Sequence, residues 1–382
     1  MFVLAIVCAV YWVIVAFAAL RIVRSVPVLA ELPVIERTQW PRVSVIIPAC
    51  NEEATLEAAL RSRLAERYPK IEYLVVNDRS TDRTGEIIDR IAAEDARVVP
   101  IHIAELPDGW LGKLHAMHVA LGHATGEWIM LSDADVHHAP DTLCRVIAHA
   151  EHDAIDHVTV FPSVWWSKFG LDAAMTTLLR ILTVCSRAWK VSDPRSRVSL
   201  GGGNFNLVRR RALDRIGGFV PLRLEVLDDI ALGQRLKWSG ARACVLNARG
   251  YVGLSFYSSL GEVVGGMEKN GFAAVGGFSV VRCLVALGAI ALCELGAFVA
   301  LAVDPSWLAA ATVGAAVAIQ LAIARWLGRP AVSALPVPFG VVVFGFGVLR
   351  SMVLTLWRGG IAWRGTRYPL AALRRGRCYK YA

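Results

Sequence analysis

The sequence predicts an α/β domain with a mostly parallel sheet, joined to one N-terminal and two to three C-terminal membrane helices. Three observations support this fold class. The 382 residues are 55% hydrophobic, with a mean hydropathy of +0.48, which is too apolar for an ordinary soluble enzyme. Charged residues nevertheless make up 19%, which is too many for a bundle of helices in lipid. Between Arg24 and Arg282, short apolar runs alternate with stretches of helical period.

Uncharged segments divide the chain into four parts. We predict an N-terminal transmembrane anchor over residues 1–23, a soluble domain over 40–275, membrane segments over 280–357 and a basic cytoplasmic tail over 358–382. Residues 2–20 carry no charge and are long enough to cross a hydrocarbon core of roughly 30 Å.

A cleaved signal peptide is the alternative interpretation of residues 2–20. No basic region precedes them, and no pair of small residues marks a cleavage site. Arg21 and Arg24 follow them instead, as in a retained anchor whose C-terminal end faces the cytoplasm. We therefore expect a multi-pass protein of the cytoplasmic (inner) membrane, with the soluble domain on the cytoplasmic side.

The last apolar segment leaves two topologies open. Residues 331–349 are uncharged but contain Pro336 and Pro338. A full crossing would place the basic tail outside, against the positive-inside rule, whereas a broken, re-entrant element would return it to the cytoplasm. We expect the re-entrant form.

The net charge of +9 is concentrated partly in the C-terminal tail. Such a cluster beside a membrane attracts anionic lipid headgroups, which we predict as partners of this tail. No nucleic-acid recognition motif accompanies the charge, so nucleic acid is not expected as a partner.

The soluble part is predicted to alternate strands with helices. The strands are expected at residues 42–48, 73–76, 98–103 and 128–131, and the helices at 52–67, 81–93 and 113–121. Polar residues follow the predicted strands at their carboxyl ends, where ligands bind in parallel sheets. The dinucleotide-binding and Walker-type glycine motifs are missing from the sequence, which argues against a dinucleotide enzyme or an ATPase.

Four short motifs stand in order along this domain. They are Val-Ser-Val-Ile-Ile-Pro-Ala-Cys-Asn-Glu-Glu from Val43, Val-Val-Asn-Asp-Arg-Ser-Thr-Asp-Arg-Thr from Val75, Gly112-Lys113, and Ser-Asp-Ala-Asp from Ser132. Together, up to about Asn270, they resemble the family 2 glycosyltransferases with the GT-A fold. Residues 109–114 and 206–210, with Leu227-Asp228-Asp229, resemble the hopanoid-associated and carotenoid-type branch of that family.

The resemblance implies an inverting transfer of a sugar from a nucleotide-diphosphate donor, with a UDP-sugar favoured, to the hydroxyl of a membrane lipid. Such a reaction needs groups that hold the donor. The residues predicted for this role are Pro48, Asn51, Glu52, Asp78, Lys113 and Asp133. Asp78 is the expected reader of the nucleoside, and the alternative is a turn aspartate that caps the following helix. For Lys113 the alternative is a solvated lysine at a helix end.

Asp135 is the predicted metal ligand. In an Asp-x-Asp sequence after a buried strand, the two carboxylates point to the same side. Hard oxygen ligands beside a diphosphate suit Mg²⁺ or Mn²⁺, and the alternative is two solvated loop acids.

Asp229 is the predicted catalytic base, with Asp228 as its neighbour, because the family places the base second in its acidic pair. The alternative is a pair of acids at a helix N-terminus. The residues predicted on the acceptor side are Gly202, Gly203, Asn204, Lys269 and Asn270. For the three consecutive glycines from Gly201, a plain flexible turn is the alternative.

Aromatic and basic residues mix along residues 164–189, including Trp165 and Trp166. This pattern indicates a helix at the membrane interface, and the alternative is an ordinary core helix. Polymer-making members of the family carry Gln-x-x-Arg-Trp where this chain has Met267-Glu268-Lys269-Asn270-Gly271, which argues against processive synthesis. A non-processive polysaccharide or oligosaccharide synthase and a catalytically inactive nucleotide-sugar-binding scaffold remain as rival functions.

Overall fold

The computed structural model describes residues 1–35, 37–165 and 168–381. Its strands are β1 (Val43–Ala49), β2 (Ile71–Asp78), β3 (Val98–Ile103), β4 (Trp128–Leu131), β5 (His137–His138), β6 (His157–Phe161), β7 (Ser163–Val164), β8 (Asn206–Arg209), β9 (Ala243–Asn247), β10 (Val252–Leu254), β11 (Gly360–Trp363) and β12 (Thr366–Pro369). Its helices are α1 (Phe2–Ser25), α2 (Leu56–Leu64), α3 (Thr84–Glu94), α4 (Gly112–His123), α5 (Thr142–His152), α6 (Phe169–Ser186), α7 (Arg210–Arg215), α8 (Asp228–Trp238), α9 (Leu260–Gly276), α10 (Val280–Val303), α11 (Trp307–Trp326), α12 (Val337–Trp357) and α13 (Leu370–Gly376).

The predicted α/β fold with a mostly parallel sheet is confirmed. Seven of the described strands form one sheet in the order β3-β2-β1-β4-β8-β6-β9. Strand β8 runs antiparallel to both of its neighbours, and the other adjacent pairs are parallel. The carboxyl ends of β1, β2 and β4 therefore lie at one edge of the sheet.

The central strand β1 is buried on both faces. Val45 and Ile47 pack on one side, against apolar residues of α2, α3 and α5, whereas Ile46 packs on the other, against residues of α4 and α8. Alternating side chains of a strand point to opposite faces, so a continuous apolar run fits a strand covered by helices twice.

Helix α2 begins at Leu56, later than predicted. The backbone N–H of Glu52 donates to Thr84 Oγ1 (2.8 Å), and that of Glu53 donates to Asp82 Oδ2 (3.1 Å). Residues before Leu56 are thus held by the loop between β2 and α3 rather than by a helix, which ties the ends of β1 and β2 together.

Five of the described helices are long and apolar enough to cross a membrane: α1, α6 with the turn after it, α10, α11 and α12. For the segment that contains α6, the sequence predicts only an interfacial or a core helix. It is apolar but is packed inside the bundle over more of its length than the other four. Trp166, from the same predicted segment, lies outside the described residues.

The expected break by Pro338 and the glycines is wrong, because α12 is one continuous helix of 21 residues. A short 3-10 turn at Ala331–Ala334 precedes it. That this segment is re-entrant stays a prediction. Pro336 and Pro338 lie at its start, where a missing N–H breaks no helical hydrogen bond. Gly340 and Gly347 are packing positions, since a Cβ there would lie 2.3 Å from Thr177 and 2.7 Å from Met267. These residues, which looked like breaks in the sequence, allow α12 to lie close to α6 and α9.

Residues 358–381 fold back onto the α/β domain. Strands β11 and β12 pair as an antiparallel hairpin, and α13 follows it. The carboxylate of Glu225 accepts hydrogen bonds from the backbone N–H groups of Cys378 (2.7 Å) and Tyr379 (2.8 Å). Arg374 and Arg377 donate to backbone carbonyls just after α9, both at 2.8 Å. Part of the basic tail thus has partners within the protein.

Candidate active site

A cleft of about 910 Å³ opens at the carboxyl ends of the parallel strands. It is lined by residues from the ends of β1, β2 and β4, from the glycine loop before β8, and from α6, α8 and α9. Of the residues predicted from sequence, the following line it: Pro48, Glu52, Asp78, Lys113, Asp133, Asp135, Gly202, Gly203, Asn204, Asp228, Asp229, Lys269 and Asn270.

Asn51 is the predicted site residue that is not part of this lining. Its φ of 56° is in the left-handed region, and its side-chain oxygen accepts a hydrogen bond from the N–H of Thr81 (2.8 Å). Asn51 thus joins the loops after β1 and β2, and its contribution is to the shape of the cleft.

Lys113 lies at the centre of an acidic cluster. Its ammonium is 2.6 Å from Asp133 Oδ1 and 3.5 Å from Asp228 Oδ2. Burial opposes the charge of Lys113, but Asp133, Asp228 and Asp229 together raise its pKa. Burial likewise works against the charge of Asp133, yet the ammonium of Lys113 lowers the pKa of that carboxyl. Both groups therefore stay charged, and the lysine holds two carboxylates in place.

Asp229 has a different environment. Its carboxylate accepts hydrogen bonds from the N–H of Gly203 (2.9 Å) and from the N–H of Ile230 (2.8 Å), while its neighbour Asp228 faces the lysine. Burial, followed by the charge of Asp228, raises the pKa of Asp229 to about 6. A carboxylate with a raised pKa is a stronger proton acceptor, and it is still ionised at pH 7.

Asp135 is the second acid with a raised pKa, at about 6, caused by burial and then by the charges of Asp133 and Glu52. Below it the buried guanidinium of Arg63 donates to the carbonyl oxygens of Asp133 (2.6 Å) and Val136 (2.7 Å), which fixes the loop after β4. Asp135 thus lies near two other acids without a direct cationic partner among the described residues, and a divalent cation would remove this repulsion.

The described residues could hold such a cation only together with ligands from a substrate and from water. Among the described residues, no cluster of three or more His, Cys, Asp or Glu side chains is arranged to hold a metal. Asp135 would therefore supply one oxygen ligand, and a phosphate-bearing substrate and water would supply the rest.

Asp78 lines the cleft beside Gly112 and is buried, with 5% of its side chain exposed. Arg79 binds both of its carboxylate oxygens, at 2.7 Å and 3.1 Å. Arg79 is a lining residue that was not predicted from the sequence, although it stands next to Asp78 in the second motif.

The glycine loop is tightly packed against Asp229. A Cβ on Gly201 would lie 2.0 Å from the backbone oxygen of Asp229, and one on Gly203 would lie 2.5 Å from Asp133 Oδ2. The lack of a Cβ at these glycines therefore allows the loop to pack closely against the acids, and they are more than a flexible turn.

Replacement of Gly201 by alanine is expected to displace the first turn of α8 and to lower the reaction rate at this cleft by about 10²-fold, because catalytic groups tolerate little misplacement. Gly122→Ala on α4 is the matched control, since a Cβ there has nothing within 4 Å. Rates measured with both variants at equal amounts of folded protein check this. Equal rates would contradict the packing role of Gly201.

Lys269 and Asn270 line the cleft from α9. Burial lowers the pKa of Lys269, although nearby Asp228 and Asp133 act in the opposite direction. Its ammonium lies 4.6 Å from the centre of the Trp363 ring, a cation–π contact.

The C-terminal hairpin supplies lining residues that were not predicted from the sequence. Trp363, Arg364 and Tyr368 of this hairpin contribute to the cleft. Arg364 is paired with Glu52, and Tyr368 Oη accepts a hydrogen bond from the N–H of Gly112 (3.2 Å). The mixture of tryptophan, tyrosine and arginine was a signal, but it was attributed to a membrane-facing tail.

One wall of the cleft is apolar. It is formed by side chains of α6 and of the segments around it, namely Phe161, Leu179, Leu182, Val198, Leu200 and Phe256. The acidic cluster and the apolar helices thus share one open space.

Comparisons with known proteins agree with this geometry. Residues 44–230 match the family model "Glycosyl transferase family 2". The chain is 29% identical over 214 residues to a beta-monoglucosyldiacylglycerol synthase of Nostoc sp. (strain PCC 7120 / SAG 25.82 / UTEX 2576), covering 52% of this chain and 42% of that protein. It is 23% identical over 221 residues to a 4,4'-diaponeurosporenoate glycosyltransferase of Staphylococcus haemolyticus (strain JCSC1435), covering 57% of each. The chain thus spans about half the length of these relatives.

A solved structure has a similar fold. The mannosyltransferase PcManGT from Pyrobaculum calidifontis, in complex with GDP-Man and Mn²⁺, superposes with a TM-score of 0.59 and 21% identity, covering 93% of this chain and 99% of that one. At this identity the likeness concerns the fold. The predicted resemblance is confirmed for this domain: residues 44–230 form a family 2 glycosyltransferase domain with a GT-A-like fold.

Proposed function

We propose that this protein transfers a sugar from a nucleotide-diphosphate donor, with UDP as the favoured nucleotide, to the hydroxyl of a membrane lipid, with inversion at the anomeric carbon. The observation that carries the proposal is the single cleft that joins the acidic cluster to the apolar wall of α6. A sugar donor needs the polar part, and an acceptor with a lipid chain needs the apolar part.

The donor is assigned to the strand ends. Asp78 and Pro48 would hold the nucleoside, and Lys113 would lie beside the donor phosphates or sugar with Asp133. Mg²⁺ or Mn²⁺ held by Asp135 would offset the charge that grows on the leaving diphosphate.

Asp229 is assigned as the base. A single displacement needs one group that takes the proton from the attacking hydroxyl. Asp229 has the raised pKa, whereas Asp228 faces the ammonium of Lys113, so Asp229 is the better acceptor of the two. Gly202, Gly203, Asn204, Lys269 and Asn270 line the neighbouring part of the cleft and are assigned to the acceptor side.

The proposed orientation places the α/β domain on the cytoplasmic side of the inner membrane. Arg21 and Arg24 lie at the end of α1 that leads into this domain, whereas the turn between α10 and α11, at residues 304–306, has no lysine or arginine. This distribution follows the positive-inside rule. Exposed basic residues of the C-terminal segment would then be available to anionic headgroups.

The test uses membranes that contain the protein and measures whether the labelled product partitions into an organic solvent or into water. Labelled UDP-sugars are supplied with Mn²⁺, and we expect the label to enter the organic extract. Label in a water-soluble chain would support a polysaccharide or oligosaccharide synthase instead. Nucleotide binding without transfer would support the inactive nucleotide-sugar-binding scaffold instead, and either that result or the absence of both would overturn the proposal. Mass spectrometry of lipids from cells with and without the protein then identifies the acceptor.

A further inference from the structure

The β11–β12 hairpin contacts three separate parts of the nucleotide end of the cleft. Arg364 donates to the carbonyl oxygen of Asn51 (3.2 Å) and pairs with Glu52, both after β1. Arg79, after β2, donates to Thr366 Oγ1 (3.2 Å). A segment more than 280 residues away in sequence thus bridges the loops after β1 and β2.

The third contact is at the start of α4. The N–H of Gly112 donates to Tyr368 Oη, and a Cβ on Gly112 would lie 2.5 Å from Asp78 Oδ2. Tyr368 therefore contacts the backbone next to both Asp78 and Lys113, the residues assigned to the two ends of the donor.

Trp363 connects this hairpin to the acidic cluster. Its ring lies 4.6 Å from the ammonium of Lys269 and 5.6 Å from the guanidinium carbon of Arg364. The tryptophan thus lies between a cation at the donor end and a cation at the acceptor end, and all three side chains line the cleft.

The cations of the cleft differ in how many of their hydrogen-bond donors are already used by neighbouring residues. Arg79 is engaged bidentately by Asp78, and Lys113 lies against Asp133 and Asp228. Arg364 is 36% exposed, and within the described part of the chain its bonds to Glu52 and Asn51 use two of the five N–H donors of a guanidinium. A planar guanidinium with donors to spare is suited to a phosphate, which it can bind through two parallel hydrogen bonds.

We propose that the β11–β12 hairpin is part of the donor site and that Arg364 binds the diphosphate of the nucleotide. Glu52 and Asn51 hold the guanidinium at the rim of the cleft. Tyr368 and Thr366 anchor the hairpin to Gly112 and Arg79, and so fix where the arginine stands. This inference rests on the proposed nucleotide-sugar donor and adds a binding residue to it from outside residues 44–230.

The test compares nucleotide binding by the full-length protein and three variants. Calorimetric titration with UDP, GDP and dTDP in the presence of Mn²⁺ is performed on the wild type, Arg364→Ala, Arg364→Lys and Arg375→Ala. Arg375 is an exposed arginine of α13 and serves as the control for loss of one positive charge in the same segment. The loss of charge-assisted hydrogen bonds is expected to weaken binding of the preferred nucleotide by roughly ten- to a hundredfold in Arg364→Ala.

Arg364→Lys is expected to recover part of the nucleotide affinity, because it keeps the positive charge but lacks the two parallel N–H donors of a guanidinium. Arg375→Ala is expected to bind the nucleotide as tightly as the wild type. In the transfer assay the donor KM should rise in Arg364→Ala while the acceptor KM stays the same. A merely structural role of Arg364 would instead lower the midpoint of thermal unfolding and affect both substrates.

Two results would overturn the inference, and they are distinguishable. If the wild type binds a nucleotide and Arg364→Ala binds it equally well, the hairpin is not part of the donor site, but the proposed function stands. If the wild type binds none of the three nucleotides, the proposed donor itself fails, and the role of Arg364 fails with it.

Discussion

Replacement of Asp229 by asparagine is expected to remove turnover while leaving nucleotide binding intact. Asparagine keeps an oxygen that can accept the hydrogen bond from Gly203, but it cannot take a proton from the acceptor hydroxyl. General-base catalysis typically contributes about 10²- to 10⁴-fold, so the loss in kcat should lie in that range. Transfer of labelled sugar and titration with UDP measure the two properties separately.

The control is Asp304→Asn, an exposed aspartate in the turn after α10. It makes the same chemical change away from the cleft and should leave the rate unchanged. Full turnover in Asp229→Asn would contradict the assigned base, and loss of UDP binding would indicate a role in holding the donor.

The pH dependence of the wild type provides an independent check. Since burial and Asp228 raise the pKa of Asp229 to about 6, this group is ionised above that pH and protonated below it. A base must be ionised to act, so kcat at saturating donor should fall as the pH is lowered through about 6. A flat profile down to pH 5 would not agree with Asp229 as the base.

Replacement of Glu294 by alanine is expected to lower the free energy of unfolding by about 3–5 kcal/mol, the usual range when one partner of a buried ion pair is removed. Glu294 on α10 and Arg180 on α6 are 2% and 1% exposed, and their closest atoms are 2.6 Å apart. Tyr11 donates to the same carboxylate (2.5 Å), and Arg180 also donates to Gln320 Oε1 (2.9 Å). The pair thus joins four of the apolar helices.

The variant Glu294→Ala leaves a buried guanidinium without its carboxylate, and Arg180→Ala leaves a buried carboxylate. The double variant Arg180→Met, Glu294→Leu removes both charges and should recover most of the loss. Thermal unfolding in one detergent measures these differences, with the exposed Glu105→Ala as control. If each single variant unfolds at the wild-type temperature, the pair does not stabilise the helix bundle.

This ion pair also bears on the acceptor side. Arg180 lies between Leu179 and Leu182, which line the apolar wall of the cleft. The pair therefore holds in position the helix against which a lipid chain would lie. Glu294 is the one charged residue between residues 283 and 303. Its partner could not be predicted from the sequence, since Arg180 is 114 residues away.

Local patterns were sufficient for much of the α/β domain. The bounds of β3 and β4 agree with those predicted, because each is an apolar run bounded by turn residues. Predictions were less accurate where loops from different strands bind each other, as at the start of α2, because those hydrogen bonds depend on tertiary structure. Pro336 and Pro338 misled for a similar reason: a proline at the first turn of a helix and a proline that breaks one look alike until the start of the helix is known.

The acids of the cleft could be named from the sequence, because each follows a strand within a recognisable motif. The hairpin could not, since no local pattern says that residues 360–369 contact residues 51, 52, 79 and 112. Its arginine and aromatic residues are equally compatible with a membrane surface, and only the three-dimensional structure assigns them to the cleft.

The hairpin contacts residues that lie far before it in the sequence, and this distance bears on how the chain folds. The loops after β1 and β2 obtain their last neighbours only when α10, α11 and α12 have been made and residues 360–369 have returned to the α/β domain. Contacts so distant in sequence form late, after the local ones. Under the proposed function, a newly made chain would therefore become active only once these apolar helices have folded and the hairpin has reached the cleft.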